Sequence, residues 1–386
     1  MTDIQNILSQ TATFVLAGGR GARLSPLTYK RSKPAVPFGD RRIIDFVLSN
    51  CLRSNLKHPV VITQYQGAHL MQHVGRWWLE RSASGAAATA SPVCVPCPSQ
   101  EYLGTAEALF RNVQLLGPKT QYVLVLSADH IYEMDYRTLL RFHTDRDGDA
   151  TLAAVVYPSE SSHQFGILEA DELSRIAGFE EKPTHPKELP GRPGKALASM
   201  GIYVFNKRVF LDALQRDAED SQSVHDIGRN ILPDLLKRRT LFAFRFEDPE
   251  TGVPRYWKDV GTIDSYYEAS MTWLRTLPEN HSLSGSGSVI SEGVCIHRTA
   301  EVVDSILMPG VVIGPGARVH RAILDENVRV LAGARLGYET SESHAFARTA
   351  NGVVVVQADS IIPAAQGSHA PPRQRQIRLG SQLARS

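Results

Sequence analysis

The chain has 386 residues, with 42 lysines and arginines against 40 aspartates and glutamates, for a formal net charge of +2. A charge this close to zero exerts no global pull toward nucleic acid or a membrane surface, no apolar run approaches the roughly 20 residues of a bilayer span, and Met1–Thr13 has neither the basic start nor the apolar core of a leader. The length fits two domains, and four scattered cysteines (Cys51, Cys94, Cys97 and Cys295) fit a reducing cytoplasm better than a disulfide framework.

The first predicted strand, Thr13–Ala17, runs straight into Gly18-Gly19-Arg20-Gly21-Ala22-Arg23. Glycines let a backbone approach a ligand, and their N–H groups can face phosphate oxygens. Two arginines add forked, permanent charge. No Gly-Lys-Ser/Thr follows, so this is not a Walker loop, and the spacing does not give G-x-G-x-x-G. The turn suits a nucleoside triphosphate held by arginine. Lys30, Arg31, Lys33, Arg41 and Arg42 follow in a stretch poor in acids, with Arg31 and Arg41 expected on a solvated basic face.

Further strands are expected at Val60–Thr63, Val123–Leu126, Thr151–Val156 and Ile202–Phe205, and a helix at Gly104–Leu116. Such alternation predicts a three-layer α/β domain with a mostly parallel sheet, whose ligands sit beyond the carboxyl ends of the strands. Asp129 closely follows one such strand end and Gly18–Arg23 another. Cys94-Val95-Pro96-Cys97 has the spacing of half a zinc or redox site, but the second half is missing. Residues 276–286 are rich in serine and read as a linker. Beyond them Ile296 and Val302, then Leu307, Ile313 and Val319, then Leu324, Val330 and Leu336 recur six apart, with gaps of five between the series. Period six with interspersed glycine is the signature of a hexapeptide β-helix. Residues 364–386 are polar and basic and read as a disordered tail.

The segment Leu16–Leu24, followed by Lys30-Arg31-Ser32-Lys33-Pro34-Ala35-Val36-Pro37-Phe38-Gly39, closely resembles the sugar nucleotidyltransferases, and within them the bacterial ADP-glucose pyrophosphorylases. The resemblance continues at Arg42–Phe46, Ile62–Gln66, Ser127-Ala128-Asp129-His130-Ile131-Tyr132, Phe179–Pro183, Ser199–Phe205 and Tyr256–Thr262. It implies a Rossmann-like nucleotidyltransferase domain over 12–275, the linker 276–286, a short left-handed parallel β-helix over 287–340 and a closing segment over 341–363. The implied reaction joins ATP and glucose 1-phosphate, with Mg2+, into ADP-glucose and pyrophosphate for glycogen synthesis, in a cytoplasmic homotetramer that responds to a small phosphorylated effector.

Residue by residue, the resemblance gives Arg23, Lys33 and Asp129 catalytic roles. It assigns Gly18, Gly19, Arg20, Gly21, Gln64, Gly104 and Thr105 to the nucleotide, and Tyr102, Gly166, Glu181, Lys182 and Ser199 to glucose 1-phosphate. Asp129 and Asp259 are the implied metal ligands; Lys30, Arg42, Arg318 and Arg321 are the implied effector contacts. In-line displacement between two anions needs cations for the phosphates and carboxylates for a metal, and these residues supply both. Base identity rests on the resemblance alone, since nothing in spacing selects adenine. Two alternatives stay open: a nucleotidyltransferase using another nucleoside triphosphate, and a non-catalytic regulatory subunit. The second is disfavoured because Arg23, Lys33, Asp129, Lys182 and Asp259 are all present. The segment joining the two parts is shorter than the resemblance implies.

Overall fold

A computed structural model describes residues 3–82, 91–96, 99–275, 287–338 and 346–364. The chain divides into two compact units, Met1–Ala269 and Ser270–Ser386. The predicted linker, the tail beyond Ala364 and Cys97 lie outside the described residues.

In the first unit a nine-stranded sheet carries, in spatial order, Ile176–Glu181, Gly166–Ala170, Lys195–Asn206, Tyr122–Ser127, Thr11–Ala17, Val60–Thr63 and Val93–Val95. Ala150–Pro158 pairs with Lys195–Asn206 and with Leu241–Arg245. Pairing is parallel around Thr11–Ala17, where the glycine turn begins, and antiparallel along Lys195–Asn206. Thr11–Ala17 is central and covered on both faces, so it reads as an apolar run and not as an alternation. Phe14 faces a cluster with Leu109, Phe205 and Phe210; Val15 faces another with Ile44, Val47 and Trp78.

Several expected elements change length. The strand at Ile202–Phe205 is the end of the longer Lys195–Asn206, which bulges between Ser199 and Ile202 with Gly201 at φ +66°. That conformation favours glycine, and it turns the backbone beside the site. The helix expected over Gly104–Leu116 is Thr105–Phe110 plus a separate 3₁₀ turn, Val113–Leu115. Asn112 breaks it: its side chain donates to the Ala108 carbonyl at 2.8 Å, and its backbone N–H goes to Leu109 instead. A short polar side chain that competes for backbone partners ends helices in this way.

The second unit is a solenoid of short parallel strands on three faces. Val289, Ile306 and Ile323 pair in succession, as do Cys295, Val312 and Arg329, so each coil advances seventeen residues. Two intervals of six and one of five make that repeat. Ile323 next pairs with Val355 across a longer insertion, and Ala347–Arg348 runs antiparallel to Val354–Val356. Val302, Leu307, Ile313, Val319, Leu324, Val330 and Leu336 are buried in one cluster. Ile296, expected in the core, is 37% exposed. It belongs to the first described coil, whose strand pairs on one side only among the described residues.

Candidate active site

The glycine turn is shaped by what lies behind it. Gly21 has φ +65°, and a Cβ there would come within 2.7 Å of the Lys33 side chain. Thr28 Oγ1 donates to the Gly21 carbonyl at 2.9 Å, and the Lys33 N–H reaches the Gly19 carbonyl at 3.4 Å. The turn and the Lys33 segment are therefore folded onto each other. A Cβ on Gly19 would meet nothing within 4 Å, so that backbone is open to a ligand.

Beside it lies a cavity of about 480 Å³, lined by Gly18, Gly19, Arg20, Gln64, Gly104 and Thr105 among others. Gly21 sits behind this lining, against Lys33. Asp129, Asp226 and Tyr102 also reach the cavity. Arg20 is exposed, 3.1 Å from Glu101 and over the Tyr65 ring. Tyr102 is buried, with its hydroxyl accepting from Asn112 at 3.1 Å and its ring under Arg111.

The charged centre is joined by a two-stranded ribbon. His130–Tyr132 pairs antiparallel with Trp257–Asp259, with His130 opposite Asp259. That register brings Asp129 and Asp259 together. Lys33 Nζ, buried, lies 2.6 Å from Asp259 and 3.0 Å from Asp129. Burial alone would lower the lysine's pKa, but the two carboxylates prevail and raise it. Burial pushes the Asp129 carboxyl up; Lys33, with help from His130 and Ser127, overrides it and holds the group below the usual carboxylate range. Ser127 Oγ donates to Asp129 at 2.6 Å. Arg23 is exposed, donates to Gln164 at 3.3 Å, and has Nη2 3.1 Å from where a Gly261 Cβ would stand.

His130 was not assigned from sequence, although it follows Asp129 directly. Its Nδ1 is 3.1 Å from the Met200 carbonyl at the bulge, and its ring packs on Trp257. One ligand atom each from Asp129, His130 and Asp259 lies within 4.8 Å of the others. Two carboxylates already straddling one buried ammonium have the spacing and charge a divalent cation needs, and hard cations take such oxygen ligands. The residues present fit a divalent metal.

A second group lies along Gly166–Ala170 and Ile176–Glu181. Gly166 opposes Glu181, and a Gly166 Cβ would stand 2.8 Å from Glu181 Oε2. Lys182, exposed at φ +53°, is 3.2 Å from Glu181. Ser199 is nearly buried next to the bulge. Two residues unassigned from sequence join here. Tyr203 is buried, its hydroxyl pKa pushed up by that burial, and it feels both Glu181 and Asp226. Gly228, just after Asp226, faces Glu181 so closely that a Cβ would be 2.5 Å from Oε2.

The remaining candidates separate by unit. Lys30 is exposed and Arg42 half-buried in the first, the Arg42 guanidinium donating to the Ala35 carbonyl. In the second, Arg318 pairs with Glu301 at 3.4 Å, and Arg321 Nε donates to Asn351 O at 3.1 Å. Arg31, expected on a solvated face, is buried. Its segment is pinned under the glycine turn, where the neighbouring Ser32 and Lys33 are buried as well. Arg41 stacks on Phe46.

Comparison with known proteins agrees over nearly the whole chain. The nucleotidyl transferase family model matches residues 12–276, and the GlmU-like C-terminal hexapeptide model matches 281–356. Glucose-1-phosphate adenylyltransferase 2 of Vibrio cholerae is 38% identical over 90% of this chain and 98% of its own length. The glucose-1-phosphate adenylyltransferase of Methylobacillus flagellatus is 35% identical over 93% and 96%, and that of Shewanella sp. strain MR-4 is 39% identical over 85% and 81%. Among the described residues no helix is long and apolar enough to cross a membrane. With a catalytic-type sheet, a carboxylate–lysine centre and relatives matched almost end to end, the chain belongs to the nucleotidyl transferase family and, within it, to the glucose-1-phosphate adenylyltransferases.

Proposed function

We propose that this chain transfers the adenylyl group of ATP to glucose 1-phosphate, forming ADP-glucose and pyrophosphate for glycogen synthesis. The observation that carries the reading is the Lys33–Asp129–Asp259 centre at the edge of a cavity lined by the glycine turn. A phosphate oxygen of the sugar phosphate attacks the α-phosphorus, and the bond to the bridging oxygen of the β-phosphate breaks. The attacking oxygen is already ionised near neutral pH, so no general base is required. Alignment and charge neutralisation are what remain to be supplied.

Gly18, Gly19, Gly104 and Thr105 would form the floor and wall for the nucleotide, with Arg20 and Gln64 at its edge. Arg23 and Lys33 would meet the triphosphate, where negative charge grows on the departing pyrophosphate. Asp129 and Asp259, with His130 beside them, would hold Mg2+, which supplies Lewis-acid neutralisation of the reacting phosphates. Lys33 would then turn from the carboxylates to the phosphates. Glu181 and Ser199 would take sugar hydroxyls along the narrow Gly166 wall, Lys182 the sugar phosphate, and Tyr102 would bound the pocket between the two substrates.

The same reading makes 12–275 the catalytic domain and 287–340 the β-helix, in a cytoplasmic homotetramer. It places a small phosphorylated effector at Lys30 and Arg42, with Arg318 and Arg321 as the second unit's candidates for that ligand class. The test is a panel of ATP, GTP, UTP and dTTP with glucose 1-phosphate and Mg2+, reading pyrophosphate release. ATP is expected to exceed the others at least roughly tenfold in catalytic efficiency, because a base-reading pocket leaves polar groups unpaired against the wrong base. Equal use of UTP would overturn the adenylyl assignment.

A further inference from the structure

A histidine–carboxylate pair outside the charged centre, its acid buried and its imidazole partly so, is not used by the mechanism above. Asp217 lies in the last turn of the helix Lys207–Glu219, with its side chain only 6% exposed. An acid there opposes the helix dipole and loses its hydration. Among the described residues no lysine or arginine pairs with it; its side-chain partner is His225, with Nδ1 at 2.8 Å. Its other oxygen accepts from Ser223 Oγ at 2.6 Å, and that hydroxyl in turn accepts the His225 N–H at 2.9 Å. Helix stability alone would not select this arrangement.

What the pair fixes is a short loop in a conformation it would otherwise leave. His225 has φ +53°, a left-handed backbone costly for a residue with a Cβ. In that conformation its carbonyl accepts the Ala106 N–H at 2.7 Å. The loop and the nucleotide wall then touch backbone to backbone: a Cβ on Gly104 would stand 2.2 Å from the His225 oxygen. Thr105 Oγ1 donates to Asp226 Oδ2 at 3.1 Å and accepts the Ile227 N–H at 2.9 Å. Two residues on, Gly228 abuts Glu181 on the sugar side.

We infer that Asp217 and His225 are positioning residues which, through the loop 223–228, lock the nucleotide wall at Gly104–Thr105 to the sugar wall at Glu181. The inference rests on the substrate halves proposed above and adds the device that joins them. Neither residue is proposed to touch substrate. The groups assigned to the phosphorus, Arg23, Lys33, Asp129 and Asp259, lie on other elements and stay in place when the lock is removed. Loosening both walls weakens binding that is common to ground and transition states, so the constants for both substrates rise together while turnover holds.

The experiment is steady-state kinetics on the full chain with both substrates varied, for wild type, His225→Ala, His225→Asn and Asp217→Asn. His225→Ala is expected to raise the KM of ATP and of glucose 1-phosphate by about tenfold each, with kcat within about threefold. His225→Asn keeps a donor near the Nδ1 position and tolerates the left-handed backbone, so it is expected to restore most of both KM values. A merely structural histidine would not give that paired rise with rescue. Normal KM values in folded His225→Ala, a rise for one substrate only, or a loss confined to kcat would each overturn the inference. If His225→Ala does not fold, Asp217→Asn, which retains an acceptor for Ser223, takes its place, and normal KM values there overturn it equally. Failure of the adenylyl reading is distinguishable, since wild type would then form no ADP-glucose.

Discussion

The two units of this chain store their information at different range. In the β-helix a core residue such as Leu307 is covered by its counterpart Leu324 seventeen residues on. In the α/β unit the charged centre joins Lys33 to Asp259 across 226 positions of sequence. The solenoid is therefore a local pattern repeated, and each coil needs its neighbours. The site is a long-range construction, and its parts have no function until a sheet and a ribbon have brought them together. Substitutions in the two units are expected to fail differently: loss of chemistry with the fold intact in one, graded loss of packing in the other.

The largest effect tests the long-range half. Asp129→Asn and Asp259→Asn are each expected to lower kcat on the order of a hundredfold or more, with the glucose 1-phosphate KM changed far less. Steady-state assays with matched circular dichroism spectra check this. Near-normal turnover in either variant would remove the carboxylate pair from the mechanism.

The next concerns acid. Burial lowers the pKa of His143 to about 4, where its ring contacts Thr151 and Asn206. The unfolded chain then binds the proton first. This group's contribution is largely intact above about pH 6.5 and is lost as pH drops toward 4, by about 3 kcal/mol. Urea unfolding at pH 7 and pH 4.5 is expected to show most of that loss, and His143→Gln to reduce it.

A smaller pair of effects divides the substrates. Arg23→Ala is expected to lower kcat by about tenfold, because charge on the leaving pyrophosphate grows only as the bond breaks. Lys182→Ala is expected to raise the glucose 1-phosphate KM by a similar factor, because the phosphate contact proposed for it would exist before and during reaction. The same kinetic signature in both would show that the two lysine and arginine positions are not functionally separate.

The smallest effect belongs to the solenoid. Ile313→Val removes one methylene from a side chain that is 1% exposed and is expected to cost about 0.5–1.5 kcal/mol. The same change at Ile361, 62% exposed, is expected to fall within about 0.5 kcal/mol of zero. Hydrogen exchange followed along urea unfolding distinguishes the two. Equal costs would contradict a packed, one-dimensional core.

This contrast also sets what could be read in the chain beforehand. The β-helix was legible because its period is written in consecutive residues; only the first described coil departs, where Ile296 lies at the end of the described stack. The glycine turn was legible because Gly18–Arg23 is contiguous and physically unusual. Asp129 and Asp259 were legible one at a time, by their flanks. Their junction was not, since it depends on the register of His130–Tyr132 against Trp257–Asp259. His130 and Tyr203 were missed for the same reason: each acquires meaning from neighbours that pairing supplies. Arg31 looked solvated because composition cannot show that the glycine turn lies over its segment.

Asp129 and Asp259 are expected to form one cation site in the presence of a triphosphate. The most direct measurement is a Mn2+ titration followed by electron paramagnetic resonance, with a non-reacting ATP analogue present, for wild type, Asp129→Asn and Asp259→Asn. The expected result is protein-bound Mn2+ in wild type beyond that of the analogue alone, with affinity lowered at least about tenfold in each variant. Unchanged Mn2+ affinity in Asp259→Asn, with the fold intact, would contradict it.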